Sequence, residues 1–355
     1  MRLLKIVQVG RFVDGSRARS ADAHEGQSGE KIRFYFYSGD LFDKLFGRVN
    51  FKYIWGKFIN MFKNKKRILS KQYLPYLLLL PALVFLITIL IYPTLYVVDI
   101  SFFKWDLLTG TPKTFIGLGN YQAMIQSSRF FGAFGRSLYF TVLSVGISFL
   151  IGFGLANLLH KGVRGKSLFT TILIVPMVVA PIIIGLAFKF MYNPDFGVIN
   201  YFLNIFGIPS QPFLGDPNLA LNAVILTDIW QWTPFMILVL LAGLESLPSE
   251  PFEAAKIDGA SRWLVFRRIT LPLMRPVILI AILIRSMDAF REFDKIFIMT
   301  GGGPGLSSET LSLLVWRSSF SWFHMGFAAA MGLFMLFVIM VISWVLIKFM
   351  GGRER

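Results

Sequence analysis

The chain has 355 residues, 55% of them hydrophobic, a mean hydropathy of +0.62, and 36 Lys and Arg against 20 Asp and Glu for a net charge of +16. So apolar a composition excludes a soluble domain of this size, and most of the chain belongs in lipid. The basic excess does not describe a nucleic-acid binder, because the basic residues fall beside apolar runs and in the N-terminal tail, and the lack of cysteine fits either side of a membrane.

Residues 1–40 open with a polar stretch of mixed charge and no periodicity, and read as a mobile cytoplasmic tail. The apolar run at 3–9 is too short for a signal peptide. Over 41–72 the pattern changes: Phe42, Leu45, Phe46, Val49, Phe51, Ile54, Trp55, Phe58 and Phe62 recur at three- and four-residue steps, with Lys44, Arg48, Lys52 and Lys57 between them. Such a segment predicts an amphipathic interfacial helix, aromatic side down and basic side toward the headgroups, with anchoring as its simplest role.

From 73 to 350 the chain predicts an all-α membrane protein of six transmembrane helices. Six apolar runs, at about 76–98, 138–159, 168–190, 219–241, 273–293 and 327–349, each approach the roughly 20 residues a helix needs to cross a bilayer. The fifth is the least apolar, since Arg285, Asp288, Arg291, Glu292 and Asp294 interrupt its second half. Basic residues at 63–71, at Lys161, Arg164 and Lys166, at Lys256, Arg262, Arg267 and Arg268, and at Lys348, Arg353 and Arg355 share one side if the spans alternate. That side is the cytoplasm, with both termini inside. The outward loops, at about 101–136, 192–218 and 295–325, are too short to hide a soluble domain.

The run Thr300-Gly301-Gly302-Gly303-Pro304-Gly305 must be a turn, because glycine costs backbone entropy and proline lacks a donor. It lacks the residues of a phosphate cradle, and the only Gly-Lys-Ser, Gly165 to Ser167, has His160 where a P-loop needs its first glycine. The chain is therefore not expected to hydrolyse ATP, and no catalytic residue or cofactor is expected. His24, His160 and His324 are too scattered for a metal site.

Between spans four and five lies a polar loop, 246–272, containing Glu253-Ala254-Ala255-Lys256-Ile257-Asp258-Gly259-Ala260. Residues 253–256 are good helix formers, Gly259 supplies a left-handed stop, and 263–270 begin a second amphipathic turn before Pro272: a helix-turn-helix knob. Polar residues within spans are costly and default to function. Span four carries Asn222, Thr227, Asp228 and Gln231 beside Trp230, Trp232 and Phe235, and span five carries Arg285, Asp288 and Glu292 at spacings of three and four, hence on one face. Such a lining suits a sugar, whose hydroxyls need polar partners and whose ring face stacks on aromatics. The alternative is an internal salt-bridge net, Arg285 with Asp288 or Glu292, that braces span five.

At Glu253, Ala254, Ala255, Asp258, Gly259 and Ala260, with Phe266, Ile269, Leu271-Pro272 and Pro276 following, the loop resembles the EAA loop of permease subunits in bacterial ATP-driven (ABC) importers, which docks on the ATPase subunit. From about 73 to 347 the order of features is similar to the larger permease of carbohydrate importers of the maltose and glycerol-phosphate type: Leu80-Pro81-Ala82, Tyr92-Pro93, Gly117-Leu118-Gly119-Asn120-Tyr121, Pro176, Trp230 to Pro234, Phe293-Asp294 with Thr300 to Pro304, and Glu309-Thr310-Leu311-Ser312. The long N-terminal tail and the missing large outer domain of the maltose member depart from that pattern. The resemblance makes 41–72 the equivalent of an elbow helix, 246–272 the cytoplasmic coupling loop, and Asp228, Gln231, Trp232, Phe235, Arg285, Asp288, Ala289 and Glu292 the substrate path. It also implies a second homologous permease, two ATP-binding-cassette ATPase subunits, an extracytoplasmic solute-binding protein and alternating access in the bacterial inner membrane. A secondary transporter driven by an ion gradient is the other class compatible with a charged span five, but it has no use for an EAA loop.

Overall fold

The computed structural model describes residues 74–108, 110, 112–162 and 165–351, so the tail at 1–40 and the amphipathic segment at 41–72 lie outside the described residues. The chain divides into two compact units, Met1–Leu80 and Pro81–Arg355, and of the first only 74–80 are described.

The first span comprises α1 (Leu74–Leu86), a π-helical turn (Ile87–Ile91) and α2 (Tyr92–Ser101). The π turn ends two residues before Pro93, whose missing N–H and ring disturb the helical ladder behind it. Two short antiparallel strands follow, β1 (Phe103–Lys104) and β2 (Thr114–Phe115), then α3 (Gly119–Gln126). The second span, α4 (Ser128–His160), starts about ten residues earlier than its apolar run, because Ser127 caps it by accepting the Phe130 N–H at 3.2 Å.

The apolar run at 168–190 is two helices, α5 (Lys166–Val178) and α6 (Pro181–Met191), set at 94°. Pro181 forces Ala180 into extended backbone, at φ −58° and ψ 136°, and so ends the helix before it. After α7 (Val198–Ile205) comes the fourth span, α8 (Ala220–Glu245). The polar loop holds α9 (Glu250–Ile257) and α10 (Arg262–Val265). A π turn at Phe266–Thr270, again just ahead of a proline, leads into α11 (Leu271–Phe290) and the short α12 (Asp294–Met299). α13 (Leu311–Trp316), a third π turn (Arg317–Ser321) and α14 (Met325–Gly351) complete the described chain. Among the described residues, five helical segments are long and apolar enough to cross a membrane, and the bent pair brings the number to six if it is counted as one span.

Small residues let the spans approach closely, as expected where lipid supplies no competing hydrophobic force. A Cβ on Gly152 of α4 would fall 2.5 Å from the Met236 Cβ of α8, and one on Gly243 of α8 would fall 2.7 Å from Val277 of α11. Around these approaches Phe140, Val224, Met236, Ile237, Leu240, Met274 and Ile296 form the main core. A second cluster packs Phe130, Phe290, Leu311, Leu314 and Met331 with the rings of Phe134 and Phe334.

Candidate functional site

The loop between α8 and α11 is built by local chemistry. Glu250 and Glu253 in the first turn of α9 and Lys256 in its last complement the helix dipole. The helix closes as a Schellman motif: Ala260 N–H donates to the Ala255 carbonyl at 2.9 Å and Gly259 N–H to the Lys256 carbonyl at 3.3 Å, with Gly259 at φ +70°. A Cβ on Gly259 would touch nothing, so backbone conformation rather than space requires glycine there. Ser261 then caps α10 by accepting the Leu264 N–H at 3.3 Å. Glu253, Ala254, Asp258 and Gly259 are exposed, Ala260 is half-buried and Ala255 is buried. Beside them Ile257 is 87% and Trp263 68% exposed, and together they add an apolar surface to the charged one. Trp263 stacks on Phe266 at 5.6 Å, and Phe266 meets Phe153 of α4 in a tilted contact at 5.7 Å, so the knob connects to the core through rings.

The polar residues of spans four and five form a buried ion net. Asp228 Oδ2 accepts from Arg285 Nη2 at 2.6 Å and from the hydroxyl of Ser144 on α4, and Arg285 Nη2 also reaches Ser144 Oγ at 3.2 Å. The Arg285 guanidinium lies over the Trp232 ring at 5.0 Å. On the other side Lys295 Nζ stands 2.9 Å from Asp228 Oδ1, 2.9 Å from Glu292 Oε2 and 3.0 Å from Gln231 Oε1. Asp228, Gln231 and Lys295 have no exposure and Arg285 has 1%. Two carboxylates thus face two cations, the balance a low-dielectric interior demands.

The bracing pairs differ from those expected. Arg285 reaches across to α8 and pairs with neither Asp288 nor Glu292. α11 ends at Phe290, so Glu292 lies beyond the helix and off its face; its Oε1 accepts the Lys295 N–H of α12 at 3.0 Å. Asp288 pairs with Arg291 at 2.7 Å, with side chains 39% and 55% exposed. Trp232 and Phe235 are half-buried and meet edge to face at 6.4 Å, while Ala289 is buried. The structure therefore brings Asp228, Gln231, Arg285 and Glu292 together and leaves Asp288 outside the net. Lys295, which joins all but Arg285, is not among the eight path residues expected from the sequence, because it sits at the edge of an outward loop; its place three residues after Glu292 is the signal that ties it to them.

A second ionic centre lies on the segment before α13. The fully buried Glu309 carboxylate receives a two-pronged contact from Arg129 of α4, at 2.7 Å for both Nε and Nη2, and a further one from Arg317. Arg317 also binds the Gly301 carbonyl, and Arg136 Nε binds the Glu309 carbonyl at 2.7 Å. Burial opposes ionisation of Glu309, yet the hydrogen bonds and charges of Arg129 and Arg317 outweigh it and hold the carboxyl below the usual glutamate range. The glycine turn is thereby fastened to α4. Gly302, at φ +88°, has Leu313 where a Cβ would place itself within 2.8 Å.

Residues 148–351 match the family described as binding-protein-dependent transport system inner membrane component. The trehalose/maltose transport system permease protein of Thermococcus litoralis is 34% identical over 283 residues, covering 79% of this chain and 94% of the relative. The sulfoquinovosyl glycerol transport system permease protein of Agrobacterium fabrum is 34% identical over 286 residues, covering 81% of this chain and 93% of the relative. A chain from the crystal structure of a bacterial ABC transporter involved in the import of the acidic polysaccharide alginate shares the fold, with a TM-score of 0.70, 24% identity, and coverage of 83% of this chain and 100% of that one.

Proposed function

The chain belongs to the family of binding-protein-dependent transport system inner membrane components, and on that basis we propose that it forms half of the translocation pathway for a sugar or oligosaccharide in an ATP-driven importer. It is a multi-pass inner-membrane subunit and is itself non-catalytic. Its partners are a second permease, two ATPase subunits and an extracytoplasmic solute-binding protein. The observation that carries the reading is the family match, which spans the polar loop and every residue of the ion net except Ser144; the relatives named for trehalose, maltose and sulfoquinovosyl glycerol supply the substrate class.

The exposed knob suits docking on an ATPase. Glu253 and Asp258 offer charge, Ile257 and Trp263 offer apolar area, and the Schellman turn keeps them in register. Closure of the ATPases on ATP would draw two such knobs together and rock the spans outward-open. Of the eight residues expected along the path, Trp232, Phe235 and Asp288 have side chains available to line it. Asp228, Gln231, Arg285, Ala289 and Glu292 form the wall behind them. The clustering of basic residues in alternate loops supports a cytoplasmic side for this knob and both termini.

The test is uptake by the full complex in proteoliposomes, with trehalose and maltose as the first solutes. Trp232→Ala and Asp288→Ala should each lower uptake at least tenfold while solute binding to the external protein and basal ATP hydrolysis survive. Unchanged uptake in both variants would remove these residues from the path.

A further inference from the structure

We propose that Lys295 is a positioning residue that holds the elbow of the broken third span through Gln231. Breaking a helix inside a membrane frees backbone groups that lipid cannot satisfy. On the α6 side the break answers this locally: Pro181 has no N–H, and the N–H groups of Ile183 and Ile184 bond the Ala180 carbonyl at 3.0 and 3.2 Å. Val179, extended at φ −77° and ψ 136°, lies outside both helices, and its carbonyl is taken by Gln231 Nε2 of α8 at 3.0 Å.

A primary amide can present either end, and its orientation follows from its neighbours. Here Lys295 decides it. With Gln231 Oε1 toward the ammonium, Nε2 must face Val179; turned over, the amide would set N–H groups against the ammonium and oxygen against oxygen. Lys295 is itself immobilised, because its ammonium donates to Gln231 Oε1, stands 2.9 Å from a carboxylate oxygen of both Asp228 and Glu292, and belongs to a side chain with no exposure. The same segment is packed against the far side of the elbow. A Cβ on Gly185 of α6 would lie 2.2 Å from Ile298 Cγ2 and 3.3 Å from Lys295 Cα, and Lys189 Nζ donates to the Ile298 carbonyl at 3.0 Å. Lys295 thus fixes where α5 and α6 pivot and joins that pivot to α8 and α12. In the importer proposed above, on which this role depends, the elbow keeps one geometry while the spans rock.

Two variants of the assembled complex test it. Gln231→Glu keeps an acceptor for Lys295 but loses the donor to Val179 and sets a third carboxylate beside the two cations, so the charge-balanced second variant is the decisive one. The double variant Glu292→Gln with Lys295→Met removes one charge of each sign, so the net stays balanced and the chain folds, but the amide loses its orienting group. In both, hydrogen exchange of the 176–184 backbone should rise at least fivefold. The maximal rate of ATP hydrolysis stimulated by the binding protein should fall at least fivefold, with the half-saturating concentration of that protein unchanged. Parental exchange at 176–184 in the double variant would overturn the proposal, as would a shifted half-saturating concentration with exchange unaltered. The exchange measurement does not depend on transport, so a complex that fails to import sugar would sink the functional reading and leave this one to be judged separately.

Discussion

Replacing Gly259 with alanine isolates a backbone cost at the loop proposed to meet the ATPase. A Cβ there meets no atom within 4 Å, so no clash confuses the result, and the residue stands at φ +70°. An L-residue other than glycine in that region costs about 1–2 kcal/mol. The helix it terminates has eight residues and is too short to hold itself against such a loss. The closed turn should therefore lose about fivefold to thirtyfold in population, and transport-coupled ATP hydrolysis should fall within the same range while the spans insert normally. Gly259→Asn is the control, since asparagine tolerates the left-handed region better than alanine and should lose less. The assay is ATP hydrolysis by the purified complex with and without binding protein, alongside the ATPase recovered with the permease. Parental coupling in the alanine variant, or equal damage by asparagine and alanine, would refute the reasoning.

Arg285→Ala should lower the yield and melting temperature of the complex by removing one partner of a buried pair, a loss of about 3–5 kcal/mol, whereas Asp228→Asn combined with Arg285→Met should recover most of it; thermal melts of both decide the matter. Glu309 is held below the usual glutamate range by Arg129 and Arg317, so its stabilisation is complete above the unfolded value of about 4.3 and is lost as the pH falls through the lower folded value. The melting temperature should drop on acidification in the parent, and that drop should be smaller in Glu309→Gln. A cysteine at Leu306, which is 39% exposed, should react with an impermeant thiol reagent from outside intact cells, and one at Ser261 should be protected. With no native cysteine in the chain, the opposite labelling pattern would invert the topology.

The spans, the loop and its cap could be read directly along the chain, because each depends on residues near one another. A bilayer selects apolar runs by length, and a left-handed stop selects glycine at position 259 whatever packs nearby. The third span shows the limit: 168–190 is apolar throughout and reads as one helix, and nothing along it states the 94° turn between α5 and α6. The ion net shows it more sharply. Counting along an unbroken helix put Arg285, Asp288 and Glu292 on one face, but α11 stops at Phe290. Glu292 turns to Lys295, and Arg285 finds Asp228 at a separation of 57 residues. Arg129 and Glu309 meet across 180. Which buried charge answers which is settled by where helices end and which faces meet, since an ion taken out of water must find whatever counter-ion the packing brings within reach.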